Sequence, residues 1–527
     1  MKQRPALIAV LVVCAGALVA LLGTRAWVDG DLYFKDQPKT LSYTADVVLH
    51  GRLALPRDGL HQPASKPPLV NWIGGLLVLG TGSWSPLVLK LPSLLAALGT
   101  IGVLFVTTRR LLGAGAMAVA AAALGSFLWL DNRTAFDLAG RVRPDMLQAF
   151  CLTLAWSAAT LLLYPQAATD ELKRKSFGLA ALFWFAVAMA ALTKGPMALL
   201  AVAYGLLLPF VLGRPRDVWR LRPLIGLPLA LLPVGLWLLA AWLEDARHVR
   251  EVLLGAEVLD RIATETPEGH VKPWWQGFEW FASKTYAWFY FTLLATLLVA
   301  GRSLQRRRVH PMVPAALWLV VLLVGISLSA GKRIDYVLPA MMPGGVLAGW
   351  LLAVVAWRAA DRVPKVGVML CVLPALAALG YGGLVARNSV TRSVENKTDW
   401  TSEAVDFARE ARQIVGDGEL IFLARGKTPM PTLLGVHHGD GVTDEQLSAA
   451  DYVVMEAIDG PEALLTSPPL PVDFAPGLAS ETAEHALYRR DDLSDDDVRS
   501  ARQNAMTWTV GENPYRSEAN FPSGWDE

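Results

Sequence analysis

Residues 6–385 alternate between apolar runs and polar breaks. Eleven of the runs are long enough to cross about 30 Å of hydrocarbon as helices, near 6–24, 88–107, 114–130, 146–164, 177–193, 196–213, 224–243, 286–301, 311–329, 337–357 and 366–385. The stretch 69–82 is also apolar, but it is short and interrupted by Gly74, Gly75, Gly80 and Gly82, and it reads as an interfacial or re-entrant helix. After Arg387 the apolar runs stop. Residues 388–527 are mixed, with a helix-like stretch at 401–415 and strand-like runs at 419–424 and 451–456, punctuated by Pro and Gly. The expected architecture is a polytopic α-helical membrane protein of about eleven or more transmembrane helices over 1–387. A small soluble α/β domain follows over 388–527, and its polar end from about 489 has the composition of a disordered tail.

Charge tests this count. With Lys2 and Arg4 placed inside, every alternate loop is a basic cluster. The clusters are Arg109 and Arg110; Lys173 to Lys175; Arg214, Arg216, Arg220 and Arg222; Arg302 and Arg306 to Arg308; and Arg358, Arg362 and Lys365. The acids gather in the other loops: Asp29, Asp31, Asp36, Asp46 and Asp58; Asp131, Asp137 and Asp145; the acidic part of 244–279; and Asp335. Lys and Arg favour cytoplasmic loops, so the acidic loops and, by parity, the C-terminal domain face outward. No small-x-small cleavage site precedes Arg25, so the first run reads as an uncleaved span.

Composition narrows the class further. Apolar residues make up 53% of the 527 and charged residues 18%, with mean hydropathy +0.37. That is more apolar surface than a soluble globule can bury. Lys+Arg 48 against Asp+Glu 47 leaves a net charge of +1, which removes any bulk electrostatic case for nucleic acid as a partner. Nineteen tryptophans suit two membrane–water interfaces. Cys14, Cys151 and Cys371 all lie in apolar runs and make neither a disulfide framework nor a thiolate metal site.

Two outward loops, 25–87 and 244–285, are too long to be mere connectors. Together with the shorter outward segments they supply carboxylates (Asp36, Asp145), cations (Lys66, Arg141, Arg143, Lys332, Arg333) and an imidazole (His270) on one side of the membrane. Cations can stabilise a departing lipid phosphate. A carboxylate can accept a proton from an acceptor hydroxyl or hold a divalent metal. Asp145 can instead serve as a helix N-terminal charge, Lys66 and Lys194 as interface anchors, and Trp274 as part of an aromatic belt.

At these residues the chain resembles the GT-C class of membrane glycosyltransferases, in particular the bacterial aminoarabinose (lipid A) transferases and the related protein O-mannosyltransferases. The matching motifs run in the family's order over about 1–385. They are Asp36-Gln37, thirty residues before Lys66-Pro67-Pro68 with Gly51 and Pro56 in register; Val142-Arg143-Pro144-Asp145; Leu192-Thr193-Lys194-Gly195-Pro196; Gly269-His270-Val271-Lys272-Pro273; and Ser327 to Pro339. Three positions depart. The family's second acid is Gln37 here, the acid before its Lys-Pro-Pro is Ser65, and an aromatic is Asn71.

The resemblance implies transfer of a sugar, with inversion at the anomeric carbon, from a polyprenyl-phosphate donor such as undecaprenyl phosphate. The acceptor would be lipid A, another glycan or a protein on the periplasmic face of a bacterial inner membrane. It assigns Asp36 as general base or metal ligand, and Asp145 as a positioning carboxylate or second metal ligand. Lys66, Arg141, Arg143, His270, Lys332 and Arg333 fall to the donor phosphate, and Tyr336 and Trp274 to the substrate lining. Two rivals remain: a transporter or flippase of lipid-linked sugars, and an inactive relative, for which Gln37 is the strongest sign.

Overall fold

A computed structural model describes residues 4–27, 37–58, 62–164, 176–259, 272–306, 309–363, 400–416 and 418–423, with shorter stretches within 366–387, 449–457, 475–476 and 484–494. The chain separates into two compact units.

The first unit holds residues 1–27, 65–70 and 91–389 and is helical. Its elements are α1 (Arg4–Trp27), the larger part of α4 (Pro86–Leu112), α5 (Ala116–Leu130), the short α6 (Arg133–Ala139), α7 (Pro144–Leu163), α8 (Ser176–Lys194), α9 (Ala198–Val211), α10 (Pro223–His248), α11 (Gln276–Thr285), α12 (Ala287–Arg306), α13 (Val313–Leu328) and α14 (Leu338–Arg362). The longer ones coincide with the apolar runs, whereas α6 and α11 fall within segments read from sequence as outward loops, and the run at 366–385 lies mostly outside the described residues. Six stretches among the described residues are long and apolar enough to cross a membrane, or seven if the bent pair Gln276–Thr285 and Trp288–Gln305 forms one span. One of the six, Ser176–Val211, is a hairpin. Gly195 at φ +71° turns the chain after Lys194, and Gly205 lies where a Cβ would stand 3.0 Å from the Phe183 ring.

Small residues and hydroxyls decide which helices meet. The α5–α14 crossing is built on Gly125, Gly345 and Gly349, where an added Cβ on Gly345 would lie 2.9 Å from the Gly125 carbonyl. Such small-residue contacts are how helices approach closely where lipid competes for apolar surface. Hydroxyl and indole groups then bridge neighbours. Thr107 meets Ser157 at 2.6 Å, Thr160 meets Tyr204 at 2.7 Å, Thr292 donates to the Gly344 carbonyl at 2.9 Å and the Trp156 indole donates to the Pro314 carbonyl at 3.2 Å. In a dry interior an unpaired hydroxyl is costly, so these bonds fix helix register as well as contact.

The second unit holds residues 28–64, 71–90 and 390–527. In its first part, α2 (Gln37–His50) packs on α3 (Leu69–Thr81) through Thr44 and Val47 against Gly74 and Gly75. Asp46, buried in α2, gathers the loop that follows: His50 Nδ1 lies at 2.8 Å, Arg52 Nη1 at 3.1 Å and the Arg57 backbone N–H at 2.7 Å. α3 has 13 residues, too short to cross hydrocarbon, in keeping with its glycine-broken sequence. In the tail, α15 (Trp400–Val415) precedes a four-stranded sheet of order β1-β2-β4-β3, with β1 (Leu420–Leu423), β2 (Tyr452–Ala457), β3 (Ala475–Pro476) and β4 (Glu484–Arg489). β1 runs parallel to β2, and β4 is antiparallel to β2 with Val454 opposite Leu487. Ile421, Val453, Met455, Ala486 and Tyr488 form its core.

Candidate active site

The loop from α6 to α7 sets the site. Asn132 caps α6 by accepting from the Ala135 N–H at 2.9 Å. Arg143, held in extended backbone by the following proline, leads into α7 with Pro144 in the first turn. Ser93 of α4 pins this loop by donating to the Arg141 carbonyl at 2.6 Å. Arg141 and Arg143 consequently face different partners. Arg141 lies 3.6 Å from Asp137, which Arg133 also approaches at 3.8 Å, whereas Arg143 turns to Asp145 at 3.4 Å and to Asp335 at 3.0 Å.

Asp145 is 4% exposed and is the hub. One of its oxygens accepts from the Lys194 amine at the end of α8, and the other faces Arg143. The positive charge of Lys66 acts on the same carboxylate. Lys194 also sits 4.8 Å over the Tyr336 ring, a cation–π arrangement. Asp335 and Tyr336 come from the short 3-10 turn Ile334–Val337 that feeds α14. Lys66, Arg143, Lys194, Asp145, Asp335 and Tyr336, drawn from four separate segments, thus converge at one end of the helical unit.

The other expected site residues fall elsewhere or outside the description. Lys332 is 3% exposed, and its amine donates to the carbonyls of Ser329 and, at 3.2 Å, Lys272. Burial pushes this amine below the ordinary lysine range, and contact with a phosphate would require it to leave those carbonyls. Arg333 beside it is half-buried. Trp274 is 64% exposed and stacks edgewise on Trp275 and Phe278, the arrangement of an aromatic belt. Asp36 and His270 lie outside the described residues. Near the site end, burial pushes the Asp131 carboxyl up to about 8, and its Oδ1 has no hydrogen-bond partner among the described residues.

Asp36, the other expected metal ligand beside Asp145, lies outside the described residues. The two oxygens of Asp145 already face cations, and no group of three His, Cys, Asp or Glu able to hold a metal occurs among the described residues.

From sequence, Lys194 reads as an interface anchor and Asp335 only as an outward acid, so neither is expected at the site. Lys194 carried a usable signal: a lysine ending an outward-facing apolar run, against the positive-inside bias, directly before Gly-Pro. Asp335 carried none beyond its sign, because only the fold brings the 3-10 turn to Arg143.

Residues 65–242 match the dolichyl-phosphate-mannose-protein mannosyltransferase family. An undecaprenyl phosphate-alpha-4-amino-4-deoxy-L-arabinose arabinosyl transferase of Pseudomonas aeruginosa is 33% identical over 220 residues, 38% of this chain. The chain spans 36% of that relative's length. The crystal structure of ArnT from Cupriavidus metallidurans bound to undecaprenyl phosphate superposes with TM-score 0.62 at 16% identity, covering 91% of this chain and 97% of that one. An Archaeoglobus fulgidus oligosaccharyltransferase superposes with TM-score 0.54 at 13% identity, covering 86% and 70%. In fold, and over part of its length in sequence, the chain resembles the GT-C class of membrane glycosyltransferases, the aminoarabinose transferases among them.

Proposed function

We propose that the protein is an integral membrane glycosyltransferase that moves a sugar from a polyprenyl-phosphate donor, such as undecaprenyl phosphate, to an acceptor of the cell envelope. The observation that carries the reading is the gathering of Lys66, Lys194 and Arg143 around buried Asp145 at one end of an apolar helical body. A lipid phosphate reaches such a place with its tail still in the bilayer. Lys194 and Lys66 receive the phosphate, and the charge that grows on it as the sugar–oxygen bond breaks is stabilised by amines already oriented. Asp145 and Asp335 hold Lys194 and Arg143 in place beforehand. The acceptor oxygen bonds to the anomeric carbon on the face opposite the departing phosphate. Asp36, by its register with the family, is the residue to accept the acceptor's proton or to bind a divalent metal.

Orientation follows from charge. The arginine-rich ends of α4, α9, α12 and α14 lie opposite the Asp145 end of the unit, which supports a cytoplasmic placement for them and a periplasmic one for the site. The same parity supports an inner-membrane protein of about eleven spans with residues 388–527 as a periplasmic α/β domain. Lipid A, another glycan or a protein is the acceptor class.

The test is transfer itself. Purified protein given a radiolabelled polyprenyl-phosphate sugar and envelope extract should label an envelope component. Movement of the labelled lipid across vesicles with no transfer would identify a flippase instead.

A further inference from the structure

The end of the helical unit opposite Asp145 holds a cleft that the reaction does not use. It has a volume of 640 Å³ and opens between α9, α12 and α13, lined by Leu212, Gly213, Thr296, Ser303, Val313 and Val320, among others. Thr296 and Ser303 are seven residues apart on α12, as are Val313 and Val320 on α13, so the cleft runs about 10 Å along the helices. Its deep part is apolar. Its rim is not: Arg214 directly follows Gly213, and the Ser303 hydroxyl accepts from the His310 N–H at 3.2 Å.

The chain that follows Gly213 is strongly cationic. The 3-10 turn Pro215–Leu221 and its flanks carry Arg214, Arg216, Arg220 and Arg222 against the single acid Asp217. Arg214 and Arg216 are exposed, and beside them Trp219 is 60% exposed, suited to a headgroup layer. None of Arg214, Arg216, Arg220 and Arg302 is in an ion pair among the described residues. The turn is held rigidly. The Trp184 indole donates to the Leu221 carbonyl at 2.7 Å, and Arg222 adopts left-handed backbone (φ 54°) with its guanidinium 5.0 Å over the Phe177 ring. A strained, anchored turn that presents arginines at the rim of an apolar cleft is costly to build by chance.

We propose that this cleft is a binding site for an anionic phospholipid of the adjoining leaflet, with one acyl chain between α9, α12 and α13 and the headgroup phosphate on the adjoining arginine turn, at Arg214 and Arg216. Charge complementarity chooses the occupant: a zwitterionic headgroup offers the same chain but a weaker partner for the arginines. The site is independent of the donor-phosphate reading, since it lies at the other end of the unit and binding is measured without turnover.

The experiment is native mass spectrometry of the purified full chain with phosphatidylglycerol and phosphatidylethanolamine of identical acyl chains at equal concentration. The wild type should retain phosphatidylglycerol preferentially. The double variant R214Q/R216Q should lose that preference, with phosphatidylglycerol retention falling roughly fivefold per arginine and phosphatidylethanolamine unchanged. Ala300→Phe, on the cleft's exposed lining, should reduce both lipids while leaving the gel-filtration profile intact. Equal retention of the two lipids by the wild type, or full phosphatidylglycerol retention by Ala300→Phe, would overturn the proposal.

Discussion

The two ends of the helical unit handle positive charge in opposite ways. At one end Lys194 and Arg143 are largely buried, and each faces a carboxylate: Asp145 for both, with Asp335 at 3.0 Å from Arg143. At the other end, Arg214 and Arg216 stand exposed and without ion pairs among the described residues. Desolvating a cation costs several kcal/mol unless a partner offsets it, so buried cations require the carboxylates that came with them, and exposed ones do not. The exposed end accords with the topology that puts arginines on that side. The buried end runs against topology and therefore calls for a ligand.

The largest effect should come from breaking the buried end. Lys194→Gln or Asp145→Asn should lower sugar transfer by about a hundredfold or more, the scale for removing one preorganised charge from a reacting oxyanion. Arg110→Gln, exposed at the opposite end, should leave it unchanged. A steady-state assay of the three variants checks this, and comparable losses in all three would erase the contrast.

Stability should separate the ends next. Asp145→Ala strands Lys194 and Arg143 in a buried setting and should destabilise the protein by about 3–5 kcal/mol. Arg110→Ala should stay within about 0.5 kcal/mol. Thermal melts in one detergent read the difference.

The site end also titrates. Asp131, ordinarily near 3.8, is pushed up to about 8 by burial. The folded state therefore keeps its proton while the unfolded chain loses it, and stability drains away as pH rises from about 4 to about 8. Asp131→Asn removes this slope, so its melting temperature should pull ahead of the wild type's across pH 5–8. Parallel curves would show that the carboxyl ionises freely.

The smallest effect belongs to the arginine end. Arg222→Gly relieves left-handed backbone, worth about 1–2 kcal/mol, but forfeits the guanidinium over Phe177, worth about 0.5–1 kcal/mol. The melt should move by no more than about 1 kcal/mol.

Much of the helical unit was legible from sequence because the hydrocarbon layer sets one length for every crossing, and α1, α4, α7 and α10 follow their apolar runs within a few residues. Centrality was not legible. The spans at Pro144–Leu163 and Ile334–Arg362 are 89% buried inside the protein, while Pro223–Leu259 is 22% buried, and lipid satisfies an apolar face as well as protein does. The better clue was small residues: Gly344, Gly345 and Gly349 mark α14 as a helix others approach closely. Within the site, Asp145 and Lys66 were visible because motif and sign agreed. The pairing of Asp145 with Lys194 joins positions 49 apart, and that of Arg143 with Asp335 joins positions far more widely separated in sequence. No local pattern encodes either.

The central claim is that the buried cations around Asp145 exist to hold a lipid phosphate. It is tested most directly by equilibrium binding of undecaprenyl phosphate, against undecaprenol of the same chain length, to the wild type and to Lys194→Gln. The account predicts that the wild type prefers the phosphate strongly and that Lys194→Gln loses most of this preference while binding the alcohol as before. Equal affinity of the wild type for phosphate and alcohol would contradict it.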